Sequence, residues 1–135
     1  MAHLSLVSII VPDYDAAIAF FTNALGFELA EDVPSTTNDG RPKRWVVVKP
    51  KGGETGLVLA RADGETQHRA VGQQFAGRVG LFLRVDDFDA TCERLRAAGA
   101  TFVNAPRTEA YGRVVVFQDI FGNKWDLLGP TSDDR

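Results

Sequence analysis

The chain contains nearly the same pattern twice. Residues 11–16, Val-Pro-Asp-Tyr-Asp-Ala, correspond to residues 85–90, Val-Asp-Asp-Phe-Asp-Ala, at an offset of 74 positions in a chain of 135. In each copy an alternating apolar stretch leads into a helical pattern that stops at a glycine. A repeat over half the chain predicts a duplicated module, and two such modules around a pseudo-twofold axis can enclose one pocket that neither forms alone.

Composition and charge indicate one ordinary globular domain. A chain of 135 residues, 44% hydrophobic and 24% charged, can bury a core without metal or disulfide support. The formal charge of −3 and the scattered basic residues argue against a nucleic-acid partner. Residues 1–4 lack a charged leader, and residues 4–11 are too short and too interrupted by serine for a secretory segment. We therefore expect a cytoplasmic location and no membrane partner.

The single cysteine gives little evidence of chemistry. Cys92 cannot form an internal disulfide, which agrees with a reducing compartment. It lies in a helical pattern with Leu95 and Ala98, so a small buried side chain is favoured over a nucleophile.

The first half is predicted to fold as βαβββ. Asp13 is suited to cap a helix whose apolar residues recur at helical spacing until Gly26. The predicted elements are a strand over 4–11, a helix ending at Leu25, the segment Phe27-Glu28-Leu29 followed by a polar stretch over 32–43 with a turn at 38–40, and strands over 45–49 and 56–60.

The second half repeats this order after a polar connector without sustained periodicity, which we expect to be the most mobile part of the chain. Its predicted elements are a strand over 80–85, a helix over 88–98, a short strand over 101–103, a loop through Pro106, a strand over 113–118, a turn over 119–124 and a strand over 125–128. The resulting organisation is a single domain over 1–130, with module one at 1–60, the connector at 61–79, module two at 80–129 and a frayed tail at 130–135.

Strand parity separates a helix-covered face from a pocket face. The residues predicted beneath the helices are Val7, Ile9, Val11, Leu57, Leu59, Leu81, Leu83, Val85, Trp125 and Leu127. The opposite face carries Leu6, Ser8, Ile10, Val58, Ala60, Gly80, Phe82, Arg84, Asp126 and Leu128. This second set is mostly apolar with a few polar groups, which is typical of a small-molecule site.

Three segments together resemble the vicinal oxygen chelate superfamily, which includes glyoxalase I, extradiol dioxygenases, fosfomycin-resistance enzymes and bleomycin-binding proteins. They are the strand-to-helix signature at Val11-Pro-Asp13 with Phe20-Phe21, the Leu25-Gly26-Phe27 helix end, and the closing segment from Asp119 to Leu127. The resemblance covers almost the whole chain. It implies an α+β fold of duplicated βαβββ modules that form an eight-stranded cup, often built across a homodimer, with ligand or metal at its centre.

The family's catalytic members place one metal ligand on each of four strands. In this sequence the corresponding positions are Leu6, approximately Val58, Gly80 and Asp126. Only Asp126 has a side chain that can donate to a divalent ion, so the resemblance to the fold does not extend to the metal site. We expect no metal and no cofactor.

The two histidines are weak substitutes. His3 lies an odd number of residues from Leu6 and would face away from the cup on a regular strand. His68 lies in the connector, where a surface position is favoured over a role in a site. Whether either contributes in a dimer stays open.

The predicted ligand-binding residues combine apolar, aromatic and charged side chains: Leu6, Ser8, Trp45, Val58, Phe82, Arg84, Tyr111, Arg113 and Asp126. Arg84 is the candidate partner of Asp126, and a structural pair is as plausible as a functional one. Phe82, Trp45, Tyr111 and Phe117 could stack on a flat ligand, although aromatic side chains on strands more often belong to a core. Arg113 either meets an anionic ligand or is a solvated residue at a strand edge.

Three hypotheses follow. The first is a glyoxalase/bleomycin-resistance-like protein that binds a small aromatic or amphipathic molecule without metal, as a homodimer. The second is an enzyme, either a lyase or isomerase of the lactoylglutathione-lyase type or a dioxygenase-like protein, that uses Asp126. The third is a dimeric fold whose cup is filled by its own side chains. The sequence leaves open whether the cup closes within one chain or between two.

Overall fold

The computed structural model describes residues 1–131, and the chain divides into two compact units after Val71. Residues 132–135 of the predicted tail lie outside the described part. The first unit contains β1 (Leu6–Val11), α1 (Tyr14–Leu25), β2 (Glu28–Thr36), β3 (Pro42–Lys49), β4 (Gly56–Arg61) and α2 (Gly64–Ala70). The second contains β5 (Val79–Arg84), α3 (Phe88–Ala97), β6 (Thr101–Phe102), β7 (Arg107–Glu109), β8 (Gly112–Gln118) and β9 (Lys124–Gly129).

The first unit is a four-stranded sheet in the order β1-β4-β3-β2, with β1 and β4 parallel and the other pairs antiparallel. Helix α1 begins at Tyr14 because the Asp13 carboxylate accepts the Ala16 amide at 2.7 Å. It ends at Gly26, whose φ of 69° is a left-handed conformation that glycine adopts without strain. The buried face of α1 packs on the sheet, where Ile9, Leu59 and their neighbours form the core.

The second unit repeats this plan with a five-stranded sheet. Its order is β5-β9-β8-β6, with β7 also paired to β8 and with β5 and β9 parallel. Helix α3 buries Phe88, Thr91, Cys92 and Leu95. Burial also raises the pKa of the Cys92 thiol, which fits a core position better than a nucleophile.

The structure confirms the α+β class and the duplicated plan, and it differs from the expectation in three places. The polar stretch over 32–43 is mostly strand, because β2 and β3 form an exposed hairpin in which polar side chains face solvent. The connector contains helix α2, and the segment expected as a loop through Pro106 is followed by β7, so the described residues form nine strands where eight were expected.

None of the helices in the described residues is both long and apolar enough to cross a membrane.

Candidate functional site

The sheet of the first unit divides into two arms at one end. Backbone pairing between β3 and β4 consists of Val47 with Val58 and Val48 with Leu57. Beyond Val47, β3 continues to pair with β2 as far as Pro42, while β4 continues beside β1 as far as Arg61. The β2–β3 arm and the β1–β4 arm therefore separate, which leaves a space between residues 42–45 and the end of β4.

Side chains satisfy backbone groups of β3 in this space. The Tyr14 hydroxyl accepts the backbone N–H of Arg44 at 3.1 Å, and the Arg61 guanidinium donates to the carbonyl of Pro42 at 3.3 Å. In a continuous sheet the neighbouring strand would supply such partners. Tyr14 and Arg61 thus replace part of a β3–β4 ladder and keep the two arms apart.

Arg44 holds the start of α1 to the β2–β3 arm. Its guanidinium forms ion pairs with Asp32 at 2.7 Å and Asp15 at 3.0 Å, and it lies 5.0 Å from the centre of the Tyr14 ring. Arg61 lies 4.9 Å from the same ring. The hydrogen bond from Arg44 lowers the pKa of Asp32, and the two carboxylates raise the pKa of Arg44, so this group stays ionised.

A second arginine connects the tip of the β2–β3 hairpin to the start of α2. Arg41 donates to both oxygens of Asp63, at 3.0 and 2.8 Å, and also pairs with Asp39 at 3.1 Å. Asp63 occupies the N-cap position of α2 but makes no side-chain capping bond, because its carboxylate faces Arg41 instead. The hydrogen bonds from Arg41 lower the pKa of Asp63. We call this pair of residues the Arg41–Asp63 clasp.

The space between the arms is a cavity of about 530 Å³, which we call the wedge cavity. Its lining residues are Tyr14, Thr37, Asn38, Asp39, Arg41, Pro42, Lys43, Arg44, Trp45, Val58, Leu59, Ala60, Arg61, Ala62, Asp63 and Gln67. The lining carries four cations against two carboxylates, and it includes Trp45, a residue that is 37% exposed. A cavity of this size with an aromatic wall and a few charged groups is suited to a small organic molecule.

The second unit has the same arrangement of an arginine beside the start of a helix, but its two corresponding strands do not separate. Arg113 of β8 pairs with Asp89 at 2.9 Å and lies 4.6 Å from the Phe88 ring, as Arg44 does with Asp15 and Tyr14. Here, however, β8 and β9 pair along six residues, from Arg113 with Gly129 to Gln118 with Lys124. Phe88 has no hydroxyl to accept an amide, and it stands where the first copy has Tyr14.

Gly129 lets β9 approach the start of α3 closely. Gly129 occupies the position in the second unit that corresponds to Arg61 in the first. A Cβ atom at Gly129 would lie 2.7 Å from the Cβ of Phe88, closer than real Cβ atoms come. The match follows from strand register. Arg61 lies opposite Val11. Leu128 lies opposite Arg84, so the next residue, Gly129, is in step with Val85, which is the equivalent of Val11 in the repeat. The open end of the first sheet therefore carries a long arginine side chain at this position. The closed end of the second sheet carries a glycine.

The turn before β9 is built on a buried carboxylate. Asp119 is 4% exposed and accepts the backbone amides of Phe121 and Asn123, the Asn123 side-chain amide and the Trp125 indole N–H at 3.0 to 3.2 Å. Trp125 also stacks on Phe117, with 5.7 Å between ring centres. This network explains the closing sequence segment as a structural turn.

Among the predicted site residues of the first unit, Trp45 and Val58 lie together in the wedge cavity. Leu6 and Ser8 are on β1, opposite Gly56 and Val58, and lie outside the lining of this cavity. The assignment of all four to ligand binding remains a prediction.

In the second unit, Phe82 lies opposite Asp126 and is 66% exposed, while Arg84 lies opposite Leu128. Within the described residues, no ion pair joins Arg84 to Asp126. Tyr111 is exposed in the turn before β8. Arg113 is engaged with Asp89, with the Phe88 ring and with the Pro130 carbonyl at 3.1 Å, so an anionic ligand would compete with existing contacts.

The residues at the family's ligand positions do not fit a divalent metal. Leucine, valine and glycine side chains offer no lone pair, and the space above Gly80 is taken by the Phe75 ring, which a Cβ atom at position 80 would overlap. His3 is exposed, and exposed His68 uses Nδ1 to contact the Gly64 carbonyl at 2.8 Å. The described residues contain no group of three or more metal-ligating side chains.

Sequence reasoning missed most of the polar lining: Tyr14, Arg41, Arg44, Arg61 and Asp63. One signal was present, since the 74-residue offset places Tyr14 and Asp15 on Phe88 and Asp89. The arginines could not be found in the same way, because Arg44 and Arg113 are separated by a different offset. Their equivalence depends on strand register.

Similar proteins agree with this architecture. The chain is 46% identical over 123 residues to an uncharacterised protein of Shewanella frigidimarina, which covers 90% of this chain and 89% of that protein. The crystal structure of UcmS2 is similar with a TM-score of 0.75 and 37% identity, covering 98% of this chain and 99% of the other. The structure of TnmS3, an antibiotic binding protein from Streptomyces sp. CB03234, has a TM-score of 0.70 and 32% identity, covering 96% and 97%.

The sequence also matches a family model over residues 2–127, nearly its whole length. The chain therefore belongs to the glyoxalase/bleomycin resistance protein/dioxygenase superfamily.

Proposed function

We propose that this protein binds a small aromatic or amphipathic molecule in the wedge cavity and does not transform it. The observation that carries the proposal is the cavity itself, where the first sheet opens beside the exposed indole of Trp45. Its volume lies in the range of small-molecule sites, about 300 to 1,000 Å³. The antibiotic-binding relative TnmS3 supports a binding role within this family.

Trp45 supplies the strongest attraction for such a ligand. A tryptophan that is 37% exposed still has apolar surface to bury, and each Å² of apolar surface removed from water contributes about 25 cal/mol. Stacking between aromatic rings adds about 0.5–1.5 kcal/mol beyond that area. Val58 and Ala60, both half-buried, extend the apolar wall beside it.

A thermal-shift screen of aromatic compounds and antibiotics tests the proposal, because a ligand that binds only the folded chain raises its melting temperature. We expect at least one class to stabilise the protein and Trp45→Ala to abolish that shift. Phe82→Ala is the matched control, since Phe82 is an exposed aromatic residue of the other unit. If the shift in melting temperature depended on Phe82 and not on Trp45, the site would lie outside the wedge cavity. If no class of compound raised the melting temperature, the hypothesis of a cup filled by its own side chains would be favoured.

Metal analysis separates this proposal from the enzyme hypothesis. Protein purified without chelator should contain no stoichiometric divalent metal and should not turn over a glutathione hemithioacetal. Stoichiometric metal whose binding is lost in Asp126→Asn, together with turnover, would contradict the proposal and favour a lyase or isomerase.

We also propose a homodimer located in the cytoplasm. The homodimer follows from the architecture that is common in the superfamily, and the location follows from the composition and the single buried thiol. Light scattering coupled to size exclusion should give twice the 14.7 kDa chain mass. A monomer at micromolar concentration would contradict the assembly.

A further inference from the structure

We propose that the wedge cavity selects a flat aromatic ligand that carries a carboxylate or another anionic oxygen, with Trp45 against the ring and Lys43 on the anion. This inference rests on the proposed function and adds the ligand's charge and the residues that recognise it. No other part of the described chain combines an open cavity, an exposed indole and unneutralised cations.

The four cations of the lining fall into two kinds. Arg44 contacts Asp15 and Asp32, and Arg41 contacts Asp39 and Asp63, so each of these arginines already holds two carboxylates. Their function in the cavity is structural, because a ligand anion would have to displace an existing partner.

The other two cations have no such partner. Within the described residues, neither Lys43 nor Arg61 forms an ion pair with a carboxylate. Arg61 contacts the Tyr14 ring and the Pro42 carbonyl and feels the field of nearby Asp63, while Lys43 is exposed. The two carboxylates of the lining, Asp39 and Asp63, are both held by Arg41. An incoming anion therefore finds cations that lack a contacting counter-charge.

Strand geometry puts Lys43 beside Trp45. The two residues are two positions apart on β3 and so point to the same face of the sheet, whereas Arg61, in step with Leu57 and Leu59 on β4, faces α1 and lies over the Tyr14 ring. A ligand whose ring lies on Trp45 can therefore direct an acidic substituent to Lys43. A charge-assisted hydrogen bond from the lysine ammonium to such a substituent is stronger than a neutral one.

The test compares two probes of the same shape, 2-naphthoate and neutral 2-naphthamide, by NMR titration of the full chain. The readout is the pair of indole N–H signals, because Trp45 lines the cavity whereas Trp125 is buried against Phe117. We expect 2-naphthoate to shift the Trp45 signal and to bind at least five times more tightly than the amide. The preference should shrink as salt is added, because these cations are solvent-accessible.

The variant Lys43→Gln should remove most of the preference for the anion while leaving the affinity for 2-naphthamide unchanged. Lys51→Gln is the matched control, since Lys51 is an exposed lysine in the turn between β3 and β4. We expect it to behave as the unsubstituted protein does. Neither change removes a contact of the fold, so both variants should remain folded.

Each other outcome overturns a separate statement. If both probes bind equally and shift Trp45, the proposed function stands and the charge preference is wrong. If 2-naphthoate binds without moving the Trp45 signal, the assignment of the cavity is wrong. If neither probe binds, the ligand class is wrong, and the proposed function then depends on the broader thermal-shift screen.

Discussion

The two units of this chain follow one plan, and one end of the sheet is open in the first unit and closed in the second. In the first, β3 and β4 pair at two positions and then separate around the wedge cavity. In the second, β8 and β9 pair at six positions, and a glycine lies against Phe88. Both keep an arginine over the aromatic residue that begins the helix. The same arginine therefore accompanies an open sheet end with a cavity in one unit and a closed sheet end in the other, and the residues around it differ.

The largest effect should come from the network that closes the second unit. Asp119→Ala would leave the Asn123 amides and the Trp125 indole without their buried acceptor, at about 1–3 kcal/mol for each unsatisfied group. We expect a loss of about 3–5 kcal/mol in the free energy of unfolding, measured by urea denaturation. Asp39→Ala, in the exposed turn of the first unit, is the control and should change stability little. If Asp119→Ala and Asp39→Ala lowered the free energy of unfolding equally, the Asp119 network would not have the special structural role that we assign to it.

The next test exchanges the residues that distinguish the two sheet ends. Gly129→Ala places a methyl group against Phe88, and overpacking of this kind costs about 1–3 kcal/mol. Arg61→Ala at the matching position removes the hydrogen bond to the Pro42 carbonyl and the contact with the Tyr14 ring without overpacking, and we expect a smaller loss of about 0.5–1 kcal/mol. Thermal melts of both variants check this difference. A stable Gly129→Ala protein would show that close approach at this position is unnecessary.

Tyr14→Phe makes the first unit resemble the second. It removes the hydroxyl that accepts the Arg44 amide, and we expect a loss of about 1 kcal/mol. The more specific consequence is weaker binding of 2-naphthoate, because the β2–β3 arm loses one of its contacts with α1. Tyr111→Phe, at an exposed tyrosine, is the control. Unchanged affinity in Tyr14→Phe would mean that the hydroxyl does not maintain the cavity.

The smallest effect concerns pH. The pKa values of Asp32, Asp39 and Asp63 are lowered, by Arg44 for Asp32, by Thr37 and Arg41 for Asp39, and by Arg41 for Asp63. Because the folded pKa lies below the unfolded value of about 3.9, these groups add stability above that pH and lose it as pH falls through the folded pKa. Carboxyl NMR titration should place Asp63 below about 3.9, and Arg41→Gln should move it upward. An Asp63 pKa at the unfolded value of about 3.9 would contradict the Arg41–Asp63 clasp.

Much of this fold is predictable from local patterns. The Asp13 cap, the Gly26 helix end and the burial of Leu57 and Leu59 on one side of β4 are confirmed, because they depend on neighbouring residues and on strand parity. The separation of β3 from β4 was not predictable, since pairing register is a long-range property. The contact between Tyr14 and Arg44, 30 positions apart, became visible only once the strands were placed.

The central claim is that binding belongs to the open end of the first unit and not to the closed end of the second. The most direct measurement is the pair of indole N–H signals during titration with 2-naphthoate, because Trp45 lines the wedge cavity and Trp125 lies in the buried network with Asp119. We predict a saturable shift of the Trp45 signal and a stationary Trp125 signal. A Trp125 shift with an unmoved Trp45 signal would contradict it.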